Sequence, residues 1–132
     1  MSSVSIQAVS RVFETAKGQR TQALQPVDFE VKDNDFVTIL GPSGCGKSTL
    51  LRIVAGLDHA TSGRVLLDGV PVEGPGADRG MVFQSYTLFP WLTIEQNIRF
   101  GLRERGMPEA QQKERAAYFI AKVGLRGFEQ HF

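Results

Sequence analysis

The sequence predicts an α/β fold, and three observations carry that prediction. Asp35-Phe36-Val37-Thr38-Ile39-Leu40 is an apolar, β-branched run of strand character. Gly41-Pro42-Ser43-Gly44-Cys45-Gly46-Lys47-Ser48 follows it directly and reads G-x-x-x-x-G-K-S. Leu50, Val54 and Leu57 then recur at helical spacing. Strand, glycine-rich turn and helix in that order are the setting in which such a turn binds a polyphosphate.

The residue types suit that chemistry. A polyphosphate is bound mainly by backbone N–H groups, and only glycine lets a turn curl tightly enough to aim several of them inward. Gly41, Gly44 and Gly46 supply that freedom. Lys47 adds a mobile charge for the β- and γ-phosphates, and the Ser48 hydroxyl completes the shell of a magnesium ion that keeps several waters. The helix expected from Lys47 to Leu57 turns its positive end toward the same anion. A chance glycine-rich turn is the alternative, and four specified positions set between strand and helix speak against it.

The 132 residues suffice for one domain and are too few for two. Hydrophobic residues make up 42% and charged residues 22%, which allows a sizeable core. A net charge of +1 with both signs interspersed provides no basic stripe for nucleic acid and no polybasic membrane anchor. No apolar run is long enough to span a bilayer, and the N-terminal residues lack the pattern of a secretory signal, so a cytosolic chain is expected. The lone Cys45 cannot form an internal disulfide and is read as a small residue of the loop rather than a catalytic thiol.

In chain order, Val4 to Phe13 alternates as a first strand and Glu14 to Gln22 is a polar turn. Ala23 to Val31 is a second strand, and Pro26 makes it an edge or irregular strand rather than a central one. Lys32 to Asp35 turns into the strand before the loop, which is expected to be buried. Asp58 to Gly63 is a loop, Gly63 to Gly69 a short strand ending in an Asp-Gly turn, and Glu73 to Gly76 a break. Gly80 to Gln84 has the character of a buried strand. One helix starts after Thr93 as N-cap, and a last one opens with Pro108 at its first position and closes at Gly124.

Four segments together resemble the nucleotide-binding subunit of an ABC transporter: Gly41 to Arg52, Ala55-Gly56-Leu57, Ser62-Gly63-Arg64-Val65 and Met81-Val82-Phe83-Gln84. More narrowly, they resemble the importer ATPases of nitrate, sulfonate or taurine uptake. The resemblance covers the whole chain and implies a single, incomplete P-loop nucleotide-binding domain over residues 1–132. That domain would have an antiparallel β part and the start of a helical subdomain from about residue 93. It implies ATP and Mg2+ as ligands, with Ser43, Cys45 and Thr49 joining Gly41, Gly44, Gly46, Lys47 and Ser48 around the phosphates.

By the same resemblance, Gln84 sits in the Q-loop and reaches magnesium and the attacking water, a role that a neutral amide suits. Lys47 and Gln84 are then the catalytic candidates. The plainer alternative for Gln84 is a polar residue ending a strand. Phe13 falls where the family places an aromatic that stacks on adenine, with a plain core phenylalanine as its rival. The stretch Tyr86 to Leu92 resembles the surface that receives a short helix of the membrane-spanning permease, with Tyr86, Leu88, Phe89 and Trp91 as docking candidates. Local packing of Leu88, Phe89 and Leu92 is the alternative; both are expected in part, with Tyr86 and Trp91 facing outward.

The signature, Walker B and switch-histidine motifs of that family do not occur in these residues, so the sequence resembles the N-terminal part of such an ATPase. His59 and His131 are read as surface residues. The resemblance implies a cytoplasmic subunit peripheral to the membrane through the permease, paired with a second ATPase subunit, that hydrolyses ATP to drive import. A non-hydrolysing nucleotide-binding or regulatory fragment docked on a membrane subunit is the alternative function. A GTPase is disfavoured because no Asn-Lys-x-Asp motif occurs.

Overall fold

The computed structural model describes residues 2–85 and 87–132. They fall into two compact units, one ending at Val82 and the other beginning at Phe83.

The first unit is a four-stranded antiparallel sheet with one helix against it. Strands β1 (Val4–Glu14), β2 (Arg20–Val31), β3 (Ser62–Leu67) and β4 (Val70–Pro71) lie in the order β2-β1-β3-β4. β2 is an edge strand, where Pro26 and its missing N–H cost no ladder bond. It begins at Arg20, within the expected polar turn, because Glu14 and Arg20 already pair across the hairpin. β1 is bulged around Ala8, whose φ of 48° interrupts the register, and its amide donates to Asp28 Oδ1 at 2.7 Å. Asp68 and Gly69 form the tight turn joining β3 to β4 through the Leu67–Val70 pair.

Helix α1 (Lys47–Val54) buries Leu50 and Ile53 against Ile6, Val9, Leu24 and Val65 of the sheet. This is the core of the unit. The helix stops three residues short of the expected Leu57. Gly56 at φ 74° donates to the Ile53 carbonyl and Leu57 to that of Arg52, closing the last turn as a glycine-terminated cap.

Two expected strands do not form. Asp35 to Leu40 runs into the loop without joining any of the strand ladders, and Gly80 to Gln84 likewise carries no strand pairing. A strand exists by virtue of its neighbours, and neither stretch has one among the described residues. Burial fails with pairing: Phe36 is 95% exposed, Leu40 87% and Val82 98%. The alternation nevertheless persists. Val37 and Ile39 line an apolar hollow of about 220 Å³ with residues of β1, β2 and α1, while Phe36 and Leu40 point to solvent.

The second unit pairs helices α2 (Ile94–Glu104) and α3 (Glu109–Lys122). Thr93 caps α2 as predicted: its side chain accepts from the Gln96 amide at 3.2 Å, while Gln96 Oε1 accepts from the Thr93 amide at 2.9 Å. Pro108 is the N-cap of α3 rather than its first residue, a shift of one position, and Gly124 at φ 76° ends the helix as expected. Ala116 and Ile120 are buried, and buried Gln112 donates to the Met107 carbonyl at 2.6 Å. No helix of the described residues is long and apolar enough to cross a membrane.

Candidate functional site

The phosphate loop takes its form from three local constraints. Gly46 is the N-cap of α1 at φ 97°, where a Cβ would stand 2.5 Å from the Ala23 carbonyl oxygen. Only glycine fits there. Gly44 also has positive φ, at 79°, and a Cβ on Gly41 would meet Cys45 Sγ at 2.8 Å. The third constraint is Lys47, whose Nζ donates to the carbonyls of Gly41 at 2.8 Å and Pro42 at 2.6 Å and lies 3.5 Å from Cys45 Sγ. The loop is therefore drawn together by its own lysine.

The start of α1 suits an anion. No side chain caps it and no acidic residue stands in its first turn, so the helix end keeps its positive character. Ser43 and Ser48 are exposed and Thr49 is half-buried. No group of three His, Cys, Asp or Glu among the described residues could hold a metal. A magnesium ion fits this chain only as a companion of bound phosphates, with the Ser48 hydroxyl as one ligand, which is the way magnesium is commonly held in phosphate sites.

Phe13 lies on β1 opposite Thr21 and is 43% exposed. It is not a core residue. The Arg11 guanidinium lies over its ring, 4.6 Å from the centroid, and Arg11 pairs with Asp58 at 2.8 Å just beyond α1.

Gln84 is exposed and belongs to the second unit, whereas the loop and Phe13 belong to the first. Tyr86 lies outside the described residues. The stretch that follows it is pinned by Asn97: Oδ1 accepts from the Phe89 amide, and Nδ2 donates to the carbonyls of Phe89, Leu92 and Thr93, all at 2.9 to 3.1 Å. Phe89 is turned inward onto Phe100, with ring centroids 4.5 Å apart, and touches Trp91 at 5.5 Å. Trp91 is 69% exposed, as expected, and Leu88 is 68% exposed instead of packing inward. With the turn fixed on either side of Phe89, that ring occupies the inner position.

A family model described as ABC transporter matches residues 24–132. The chain belongs to the ABC transporter family. It is 53% identical over 127 residues to an uncharacterised ABC transporter ATP-binding protein of Methanocaldococcus jannaschii, covering 96% of this chain and 47% of that protein. It is 46% identical to the nitrate import ATP-binding protein NrtD of Synechocystis sp., covering 94% and 46%. With the taurine import ATP-binding protein TauB of Burkholderia pseudomallei it shares 49%, covering 99% and 50%. Among solved structures it superposes on a dimeric ATP-binding cassette bound to ADP and Pi with a TM-score of 0.83 at 30% identity, covering 97% of this chain and 60% of that one. The chain spans about half the length of the curated relatives it matches.

Within this ABC transporter chain the sequence pattern missed the surroundings of Phe13. Strand alternation places Arg11 and Phe13 on one face, a signal that was available. Asp58 lies 47 residues from Arg11, and no local pattern announces their pairing.

Proposed function

We propose that these residues form the nucleotide-binding half of an import ATPase site, taking ATP with Mg2+. The observation that carries the reading is the glycine loop at an uncapped helix start, with Lys47 already folded over it. In this reading Gly41, Ser43, Gly44, Cys45, Gly46 and Thr49 surround the phosphates. Lys47 neutralises charge, Ser48 joins the magnesium shell, and Gln84 orients water and metal. Phe13 carries the adenine on its ring. Import driven by ATP hydrolysis, pairing with a second ATPase subunit and attachment to a membrane permease at the cytoplasmic face are parts of the same proposal. The chain's similarity to nitrate and taurine import ATP-binding proteins supports it. Exposed Leu88 and Trp91, together with Tyr86, are assigned to permease docking, whereas Phe89, packed on Phe100, leaves that set. The 132 residues contain no Asp-Glu pair to follow an apolar strand and serve as general base, so binding rather than turnover is assigned to this stretch by itself.

Calorimetric titration with Mg-ATP tests the reading. Lys47→Ala is expected to weaken binding by tenfold or more, since a charge-assisted contact contributes about 1.5–3 kcal/mol. Equal affinity in the variant would remove the phosphate loop from the site. Rapid turnover by the purified chain, lost in Lys47→Ala, would overturn the assignment of binding without hydrolysis.

A further inference from the structure

We infer that Arg11 is a positioning residue for the base-binding platform, and that its pair with Asp58 ties that platform to the helix carrying the phosphate loop. The inference rests on the assignment of Phe13 to adenine made above.

Three observations converge. The Arg11 guanidinium stands 4.6 Å from the centroid of the Phe13 ring, a residue that is 43% exposed. Such a cation draws electron density toward itself and leaves the opposite side of the ring better suited to an electron-rich purine. Arg11 is in turn fixed by Asp58 at 2.8 Å, with both side chains mostly withdrawn from solvent, at 23% and 17% exposure. Its Nε is shut away without a hydrogen-bond partner, an arrangement that a plain surface ion pair would avoid.

Chain connectivity gives the pair its meaning. A nucleotide must touch the base platform and the phosphate cradle at once, so the spacing between them is a binding parameter. Phe13 stands on β1, whereas the cradle stands at the start of α1. Asp58 lies on the segment that leaves α1, and that segment is sewn to the end of β1 at several points. The Thr61 amide donates to the Ser10 carbonyl at 2.8 Å, Thr61 Oγ1 accepts from the Val12 amide at 3.0 Å, and the Ser10 and Ser62 hydroxyls meet at 2.7 Å. These contacts set the strand, and the Arg11 guanidinium reaches from it over the aromatic ring.

The test compares two ligands that differ in the base. Mg-ATP and Mg-tripolyphosphate are titrated calorimetrically into the unmodified chain, Phe13→Ala, Arg11→Ala, Arg11→Lys and Asp58→Asn. Arg11→Ala is expected to weaken ATP about fivefold, the scale of one cation–π contact, and to leave tripolyphosphate unchanged. Arg11→Lys should recover most of the loss, and Asp58→Asn should show a smaller loss confined to ATP. If Arg11→Ala does not fold, Asp58→Asn and Arg11→Lys decide alone. Equal weakening of both ligands would make Arg11 merely structural and overturn the inference. ATP affinity unaffected by Arg11 while Phe13→Ala weakens it would also overturn it. ATP affinity unaffected by Phe13→Ala would instead sink the adenine assignment and this inference with it. Failure of the unmodified chain to bind either ligand would sink the phosphate-loop proposal first.

Discussion

β1 and the stretch Asp35 to Leu40 are built from similar apolar, β-branched residues, yet they meet opposite fates. β1 has β2 on one side and β3 on the other, and its Ile6 and Val9 are 3% and 0% exposed. Asp35 to Leu40 has no strand beside it among the described residues, and Phe36 and Leu40 stand in solvent. Composition decides which face of an extended segment is apolar; pairing decides whether that face is buried and the segment becomes a strand. The stretch before the phosphate loop thus keeps its pattern without its structure.

The largest expected effect tests that contrast directly. Ile53→Ala should destabilise the first unit by about 2–4 kcal/mol in denaturant unfolding, because it empties a core position between α1 and the sheet. Phe36→Ser should change stability by less than about 0.5 kcal/mol. Comparable losses in the two variants would show that the stretch is paired and buried in solution.

A smaller effect sharpens the comparison from the side of local interactions. The start of α2 carries the Thr93–Gln96 capping box, three positions apart, while its first two amides, of Ile94 and Glu95, donate to the carbonyls of His131 and Glu129 at 2.9 and 3.0 Å. Thr93→Ala should cost about 1 kcal/mol, followed by helical circular dichroism during unfolding, with Thr93→Ser recovering it. A Thr93→Ala chain as stable as the parent would mean that contacts elsewhere hold the helix start.

The smallest effect concerns a surface tether. Asp68 accepts from the Ser3 amide at 2.6 Å, which chiefly holds its carboxyl below the ordinary carboxylate range, and the Ser3 hydroxyl adds to this. A depressed folded value means that the tether is fully present above the ordinary value, about pH 4, and is lost as pH falls through the lower folded one. The Ser3 amide resonance should titrate with that lowered midpoint and cease to do so in Asp68→Asn. A midpoint at the ordinary carboxylate value would show that the tether does not form.

What was legible in the sequence divides along the same line. The Thr93 cap, the Asp68-Gly69 turn, the edge character that Pro26 gives β2 and the glycine end of α3 each follow from a few neighbouring residues, and each was read correctly. The fate of Asp35 to Leu40 and Gly80 to Gln84 depends on partners that a window of residues cannot contain. So do the surroundings of Phe13, since the Asp58 that fixes Arg11 comes from a distant part of the chain. The length of α1 was overread because Leu57 continues the apolar period, while Gly56 ends the helix. Leu88 and Phe89 could not be told apart by apolarity; Asn97 separates them by pinning the turn on which they stand.

The lysine folded over the phosphate loop is an ammonium held by two carbonyl oxygens of that same loop, those of Gly41 and Pro42. Under the proposed function, an arriving phosphate would exchange with those two carbonyls for the same ammonium. The heat of such binding would be a difference between two sets of contacts to the same ammonium. Tightness at such a site is governed by how much better a phosphate oxygen holds the cation than a peptide oxygen does, a margin that bulk salt screens and that replacing the cation removes.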